Sequence, residues 1–203
     1  MTGTAAAATS PVSRLSLVLP PGFVRIAPND SPLTSIEPIV KQAAANAPQE
    51  RRTEVARFVR RQLRDAVAAA RTQKVTDLVI PTALIAGAAL PASLTLARMA
   101  MNGEVRTPSQ LLISWLARGG TPIELDGLAG VRRVRELPAK DESPAQRQVA
   151  YLTHLPWEGQ WLLATVTILT SSDPAARETL EAIETLFDAI LQTLRVERPE
   201  VSA

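Results

Sequence analysis

The sequence predicts an α+β domain: a central, mostly antiparallel sheet with helices packed on it, closed by a C-terminal helix. Alternating apolar residues over 149–155 and a β-branched run over 160–169 indicate two strands, the second central and covered on both faces. Residues 156–159 between them contain the Pro and Gly typical of a hairpin turn. Apolar residues at helical spacing over 180–194 form one wide face, which we expect to pack across the sheet.

A single domain over residues 14–196 is expected from length and composition. The chain has 203 residues, of which 46% are hydrophobic and only 3% aromatic, so Ala, Leu and Val must fill the core. Residues 1–13 are rich in Ala, Thr and Ser and lack the basic and long apolar regions of a secretory signal. We therefore expect a disordered tail at 1–13 and a second tail at 197–203.

Short strands and one helix are predicted before residue 48. Apolar residues over 14–19 and 23–26 flank a Pro-Pro-Gly turn and indicate two extended segments. The Asn-Asp-Ser-Pro sequence at 29–32 is a helix-start signal. The helix is expected to reach about residue 46, with an interruption near Pro38 because proline cannot donate to the helical ladder.

The segment 49–74 is the clearest helix in the sequence. Its predicted apolar stripe consists of Val55, Phe58, Val59, Leu63, Ala66, Val67 and Ala70. The segment carries eight positive and three negative charges, a net +5, and its arginines lie opposite the stripe. The candidate partner-binding residues on this face are Arg57, Arg60, Arg61 and Arg64.

Residues 78–97 are twenty residues without a charge, the length of a membrane-spanning helix. Pro81 and Pro91 interrupt the stretch, so we expect two buried strands, at 76–86 and 92–101, and no membrane span.

Farther along, Thr107-Pro108-Ser109 starts a short helix that Gly119-Gly120 ends. An extended run follows at 122–125, and the charged run at 130–137 is typical of an edge strand.

Little in the sequence indicates catalysis. Cysteine is absent, which excludes disulfides, thiol catalysis and thiolate metal sites, and His154 is the only histidine. The sequence contains no nucleophile elbow, phosphate loop or dinucleotide fingerprint. We therefore expect no catalytic residue, no cofactor and no metal, and a protein that is not an enzyme.

The arginine-rich face of the helix at 49–74 has several interpretations. It is a solvated face, or it pairs with the closing helix of the same chain or of a second copy in a homodimer. That closing helix has a net charge of −4 from Asp173, Glu178, Glu181, Glu184 and Asp188 against Arg177. Nucleic acid is disfavoured because no aromatic residues interleave with the arginines.

Near the hairpin turn, Trp157 is either a partner anchor or a cover for the end of the sheet.

Four pieces of the sequence carry a family resemblance. They are Leu19-Pro20-Pro21-Gly22-Phe23 with Ile26, Pro81 with 90–94, the strand pair across Pro156-Trp157, and 186–190 with Thr193-Leu194-Arg195. Together with an Ala- and Arg-rich, Lys-poor composition, they resemble small uncharacterised actinobacterial proteins from type VII (ESX-like) secretion neighbourhoods, whose plan is similar to the PsbP-like fold. The resemblance spans about half the chain and implies no catalytic residues.

The leading functional hypothesis is a non-enzymatic, cytoplasmic protein-interaction module, an accessory of an actinobacterial secretion system. The sequence has a complete core pattern without recognisable site chemistry, which favours this interpretation. The alternative is a small-ligand or lipid carrier with an Ala-lined cavity between sheet and helices. A nucleic-acid binder that uses the helix at 49–74 ranks third.

Overall fold

The computed structural model describes residues 15–29, 32–82, 90–100, 107–140, 144–157, 159–170 and 176–197. The expected tail at 1–13, and all but the first residue of the tail at 197–203, lie outside these ranges. The helices are α1 (Pro32–Ala45), α2 (Arg52–Thr72, preceded by a 3-10 turn at Gln49–Arg51), α3 (Pro108–Leu116) and α4 (Ala176–Gln192). The strands are β1 (Leu15–Ser16), β2 (Phe23–Ile26), β3 (Val75–Pro81), β4 (Ala92–Ala100), β5 (Thr121–Leu125), β6 (Leu128–Leu137), β7 (Gln146–His154), β8 (Gln160–Leu169) and β9 (Arg195–Val196).

Seven strands form one antiparallel sheet in the order β2-β3-β4-β8-β7-β6-β5, and β1 pairs with β9 in a separate two-stranded sheet. Every pairing is antiparallel. The predicted α+β class and the closing C-terminal helix are confirmed. The predicted hairpin is also present, since β7 and β8 pair along their whole length.

Helix α4 covers one face of the sheet. The register aligns Val79, Leu94, Val166 and Val149 across four strands on this face, and each of them is fully buried. Phe187 of α4 packs into the same core. A strand places alternate residues on opposite faces, so this alignment fixes which residues of β4 and β8 point away from α4.

On the opposite face, the helices that the structure describes lie near the two edges. Helices α1 and α2 pack over β2 and β3, where Ile26 and Leu78 join their apolar residues in a second core cluster. Helix α3 packs over β6 and β7. A Cβ on Gly120, just after α3, would lie 2.4 Å from Val131 Cγ1, so this approach of α3 to β6 requires glycine.

An ion pair joins α1 to α2. The Arg60 guanidinium donates to both carboxylate oxygens of Glu37, at 2.8 and 2.9 Å. These hydrogen bonds hold the pKa of Glu37 below its ordinary value. Any stability that Glu37 contributes is therefore present above its unfolded-state pKa and is lost as pH falls through the folded-state pKa.

We expect a carboxyl-carbon NMR titration to give Glu37 a midpoint below that of exposed glutamates in the same protein. In Arg60→Gln the Glu37 midpoint should rise toward the ordinary range, because the strongest hydrogen-bond donors are gone. The matched control is Arg57→Gln, which removes an exposed arginine on the same helix. An Arg60→Gln titration that superimposes on the wild type would contradict this account.

Three sequence predictions are wrong in detail. Pro38 lies inside α1, and the helix continues through it because Ile36, Ile39 and Val40 around it are buried. Phe58 is 55% exposed and does not belong to the buried stripe of α2. The run 130–137 is an edge strand only in part: β5 pairs with residues 128–132 of β6, whereas 133–137 have no β5 partner.

The uncharged stretch 78–97 supplies most of β3 and β4, as predicted, while its residues 83–89 lie outside the described ranges. Across the described parts of the chain, no helix combines the length and apolar character that a bilayer crossing requires.

Candidate functional site

The two faces of the central strands differ in composition and in exposure. On the α4 side, Leu94, Leu96, Leu162, Ala164 and Val166 are fully buried. On the other side Trp161, near the start of β8, is buried, but the more central residues are mostly small or polar, and none of them is buried. We call this second side, between α1–α2 and α3, the open face; its central residues are Thr95, Ala97, Gln148, Ala150, Leu163, Thr165 and Thr167. The predicted cover on both faces of β8 is therefore wrong.

A groove of about 780 Å³ lies on the open face. Its floor is formed by β4 and β8, and one wall by the end of α2. Its lining residues are Gln73, Lys74, Val75, Thr95, Ala97, Arg98, Met99, Ala100, Gln148, Gln160, Leu163, Thr165 and Thr167. Asp and Glu are absent from this described lining. Hydroxyl and amide groups dominate the polar part, and they both donate and accept hydrogen bonds.

Local irregularities at the start of β3 shape this wall. The backbone N–H of Lys74 donates to Arg71 O at 3.0 Å, and the positive φ of Lys74, 56°, ends α2. A β-bulge then inserts Thr76 between Val75 and Asp77, so Val75 pairs with Ala97 and points to the open face. The exposed Lys74 is thereby positioned at the rim of the groove.

Three arginines lie on the α3 side of the open face. Arg133 and Arg135 are two residues apart on the same side of β6, paired in register with Ala150 and Gln148. Arg118 follows α3, which packs on β6. Burial, and then the positive charges of Arg135 and Arg118, lower the pKa of Arg133. We call Arg118, Arg133 and Arg135 the arginine cluster.

The arginines predicted from sequence lie elsewhere, on α2. Arg57, Arg61 and Arg64 are exposed, and the guanidinium of Arg61 lies 5.9 Å from the ring centre of Phe58. Arg60 is half-buried and pairs with Glu37. None of these four residues lines the groove. The structure therefore separates the predicted arginine face from the open face.

Trp157 is half-buried in the turn between β7 and β8 and packs against the main core. Its carbonyl accepts a hydrogen bond from the backbone N–H of Gln160 at 3.1 Å. The nearby His154 ring packs edge to face on Trp161, with 5.0 Å between ring centres. The described residues contain no group of three or more His, Cys, Asp or Glu side chains placed to hold a metal ion.

Glu184 and Asp188 of α4 contact the sheet and not α2, so the proposed pairing of these two residues with α2 of the same chain is wrong. Arg132 Nη2 donates to Glu184 at 2.9 Å, and Arg132 Nε approaches Asp188 at 3.3 Å. Arg147 binds Glu184 as well as Glu136 of β6. Asp173 lies outside the described residues.

Tyr151 joins this network, since its hydroxyl donates to the Asp188 carboxylate. Burial and the hydrogen bond to Asp188 raise the pKa of Tyr151 above its ordinary range. The phenol therefore stays protonated as a donor, and the network fastens α4 to β6 and β7.

No protein-family model matches this chain, and neither does any curated protein sequence. Among solved structures, it is similar to cyanobacterial PsbP from Synechocystis, with 10% identity, a TM-score of 0.42, and 96% of this chain and 98% of that chain covered. A Pseudomonas aeruginosa protein of unknown function shares 20% identity at a TM-score of 0.37, over 53% of this chain and 74% of its own. A Bacteroides thetaiotaomicron structure shares 8% identity at 0.39, over 61% of this chain but only 39% of its own length. The similarities are limited to the general α+β plan.

Proposed function

We propose that the chain is a non-enzymatic protein-interaction module that binds an extended, acidic segment of a partner protein on the open face. The observation that carries the proposal is the contrast between the two sides of β4 and β8. One side is sealed by α4, while the other is half-exposed over a groove lined with hydroxyl and amide groups. An antiparallel sheet tolerates such a polar face, and a partner can cover it.

Charge favours an acidic partner. Lys74 lies at one rim of the groove, and Arg133 and Arg135 lie on the strand beyond Gln148 at the other side. The described groove lining carries no carboxylate that would repel an acidic chain. Complementary charge of this kind steers association and fixes orientation.

Side-chain spacing favours an extended segment. Thr165 and Thr167 are two residues apart on β8, and they pair in register with Ala150 and Gln148 of β7. An extended chain also repeats every two residues, so its polar groups can meet these rows without a helix or a tight turn. Thr and Gln side chains satisfy both donors and acceptors on such a chain.

A blocking variant tests the proposal. We expect Thr165→Trp to weaken capture of the native partner at least about tenfold, because the indole fills the centre of the groove. The matched control is Thr185→Trp, which places the same side chain on the exposed side of α4. The measurement is the amount of partner retained by tagged wild type and by each variant, at equal folded protein by circular dichroism. Equal retention by wild type and Thr165→Trp would contradict the proposal.

A small-ligand or lipid carrier is the second candidate function, because about 780 Å³ is within the range of small-molecule sites. The described lining contains Ala97 and Ala100, but six of its thirteen residues are Thr or Gln, which differs from the Ala-lined cavity expected from sequence. Native mass spectrometry of purified protein distinguishes the two functions. A stoichiometric small molecule that Thr165→Trp displaces would favour the carrier.

The sequence resemblance supports one further part of the proposal: the partner belongs to an actinobacterial type VII secretion system and meets this chain in the cytoplasm. A nuclease-treated pull-down from the native host tests it. Partners from that system, retained after nuclease treatment, would support the accessory role. Recovery of a second copy alone would favour the homodimer, and loss of all partners on nuclease treatment would favour nucleic acid.

A further inference from the structure

Unlike most other arginines of the sheet, the arginine cluster has no counter-charge among the residues that the structure describes. Arg132, on the same strand, contacts two carboxylates, and Arg25 of β2 pairs with Asp77 at 2.7 Å. Within the described ranges, Arg118, Arg133 and Arg135 form no ion pair. Three like charges at one place repel one another, and a bound anion relieves that repulsion.

We propose that Arg118, Arg133 and Arg135 bind a phosphoryl group carried by the partner segment, a proposal that rests on the interaction module described above. A carboxylate has two oxygens and one charge, which a single guanidinium can satisfy. A phosphoryl dianion has three acceptor oxygens and nearly twice the charge, so it can engage several guanidinium groups at once. Three neighbouring arginines therefore match a phosphoryl group better than an Asp or Glu side chain.

The position of the cluster favours a phosphoryl group on a polypeptide over a free anion. Arg135 pairs in register with Gln148, and Gln148 lines the groove. A segment lying on β8 and β7 therefore reaches the cluster within the width of one strand, about 5 Å. Phosphorylation would then strengthen binding of the same segment and switch the interaction on.

The test uses nine-residue peptides of Glu, Thr and Gly with either phosphoserine or serine at the centre, and inorganic phosphate as a third probe. Each is titrated into isotopically labelled wild type, Arg133→Gln, Thr165→Trp and the control Arg57→Gln, and followed by NMR. We expect the phosphopeptide to bind wild type and Arg57→Gln at least about tenfold more tightly than the serine peptide. Arg133→Gln should remove that difference while it leaves the serine peptide's affinity within about threefold. Arg118→Gln, at an exposed position, provides the same test if Arg133→Gln does not fold.

The outcomes separate the two proposals. If both peptides bind wild type equally and Thr165→Trp weakens both, the interaction module stands and the phosphoryl site is overturned. Inorganic phosphate could shift the NMR signals of the arginine cluster while the phosphopeptide binds no more tightly than the serine peptide. In that case the site binds a free anion, and the proposal of a phosphoryl group on the partner segment is overturned. If neither the peptides nor phosphate perturbs the open face or the cluster, both proposals fail.

Discussion

Replacement of Phe187 by Ala is expected to lower the free energy of unfolding by about 3–5 kcal/mol. Phe187 is fully buried and packs edge to face on Phe23, with ring centres 5.8 Å apart. The truncation removes a large apolar side chain from the interface of α4 with the sheet and leaves a cavity that fixed strands cannot close. Urea denaturation followed by circular dichroism measures the change.

The control for this substitution is Thr185→Ala, two residues away on the exposed side of α4. We expect it to change the free energy of unfolding by less than about 1 kcal/mol, since it alters little buried surface. A loss below about 1 kcal/mol for Phe187→Ala itself would mean that α4 does not seal this side of the sheet.

The second large effect is expected for Glu184→Gln, which should cost about 2 kcal/mol. Glu184 is buried, accepts a hydrogen bond from Arg132 and forms an ion pair with Arg147, and the amide that replaces it carries no charge for either arginine. Removing one partner of a buried ion pair costs about 3–5 kcal/mol. The expected loss of stability is smaller here because Arg132 retains its ion pair with Asp188 and Arg147 retains its ion pair with Glu136.

Glu181→Gln makes the same chemical change one helical turn earlier. Glu181 is exposed and contacts only Arg177, at 3.4 Å, among the described salt bridges. We expect it to change stability by less than about 0.5 kcal/mol. Both substitutions are measured in the same urea series. Equal changes in the free energy of unfolding would show that the contribution of the α4 ion pairs to stability does not depend on burial.

Most elements of the fold are predictable from local sequence patterns. The β7–β8 hairpin, the strands at 75–81 and 92–100, and α4 each follow from apolar periodicity with turn or cap residues beside them. Strand order is not predictable in this way. β4 pairs with β8 across an intervening β-rich segment, and only the assembled core decides that register.

The sequence does not predict the open face, and the reason is physical. Thr165 and Thr167 are β-branched, so they favour a strand whether its second face is buried or exposed. The Thr-Val-Thr alternation in β8 is the only local sign that one face differs from the other. Arg133 and Arg135 are predicted to be edge charges, because the sequence does not show that Arg132, just before them, faces α4 while they face away from it.

The most direct test of the open face is methyl NMR of threonine-labelled protein mixed with the partner eluted from the wild-type bait. We predict that Thr95, Thr165 and Thr167 shift or broaden on binding, while Thr185 on the exposed side of α4 does not. Perturbation of Thr185 with unchanged Thr95, Thr165 and Thr167 would contradict the account and move the binding surface to the opposite side of the molecule.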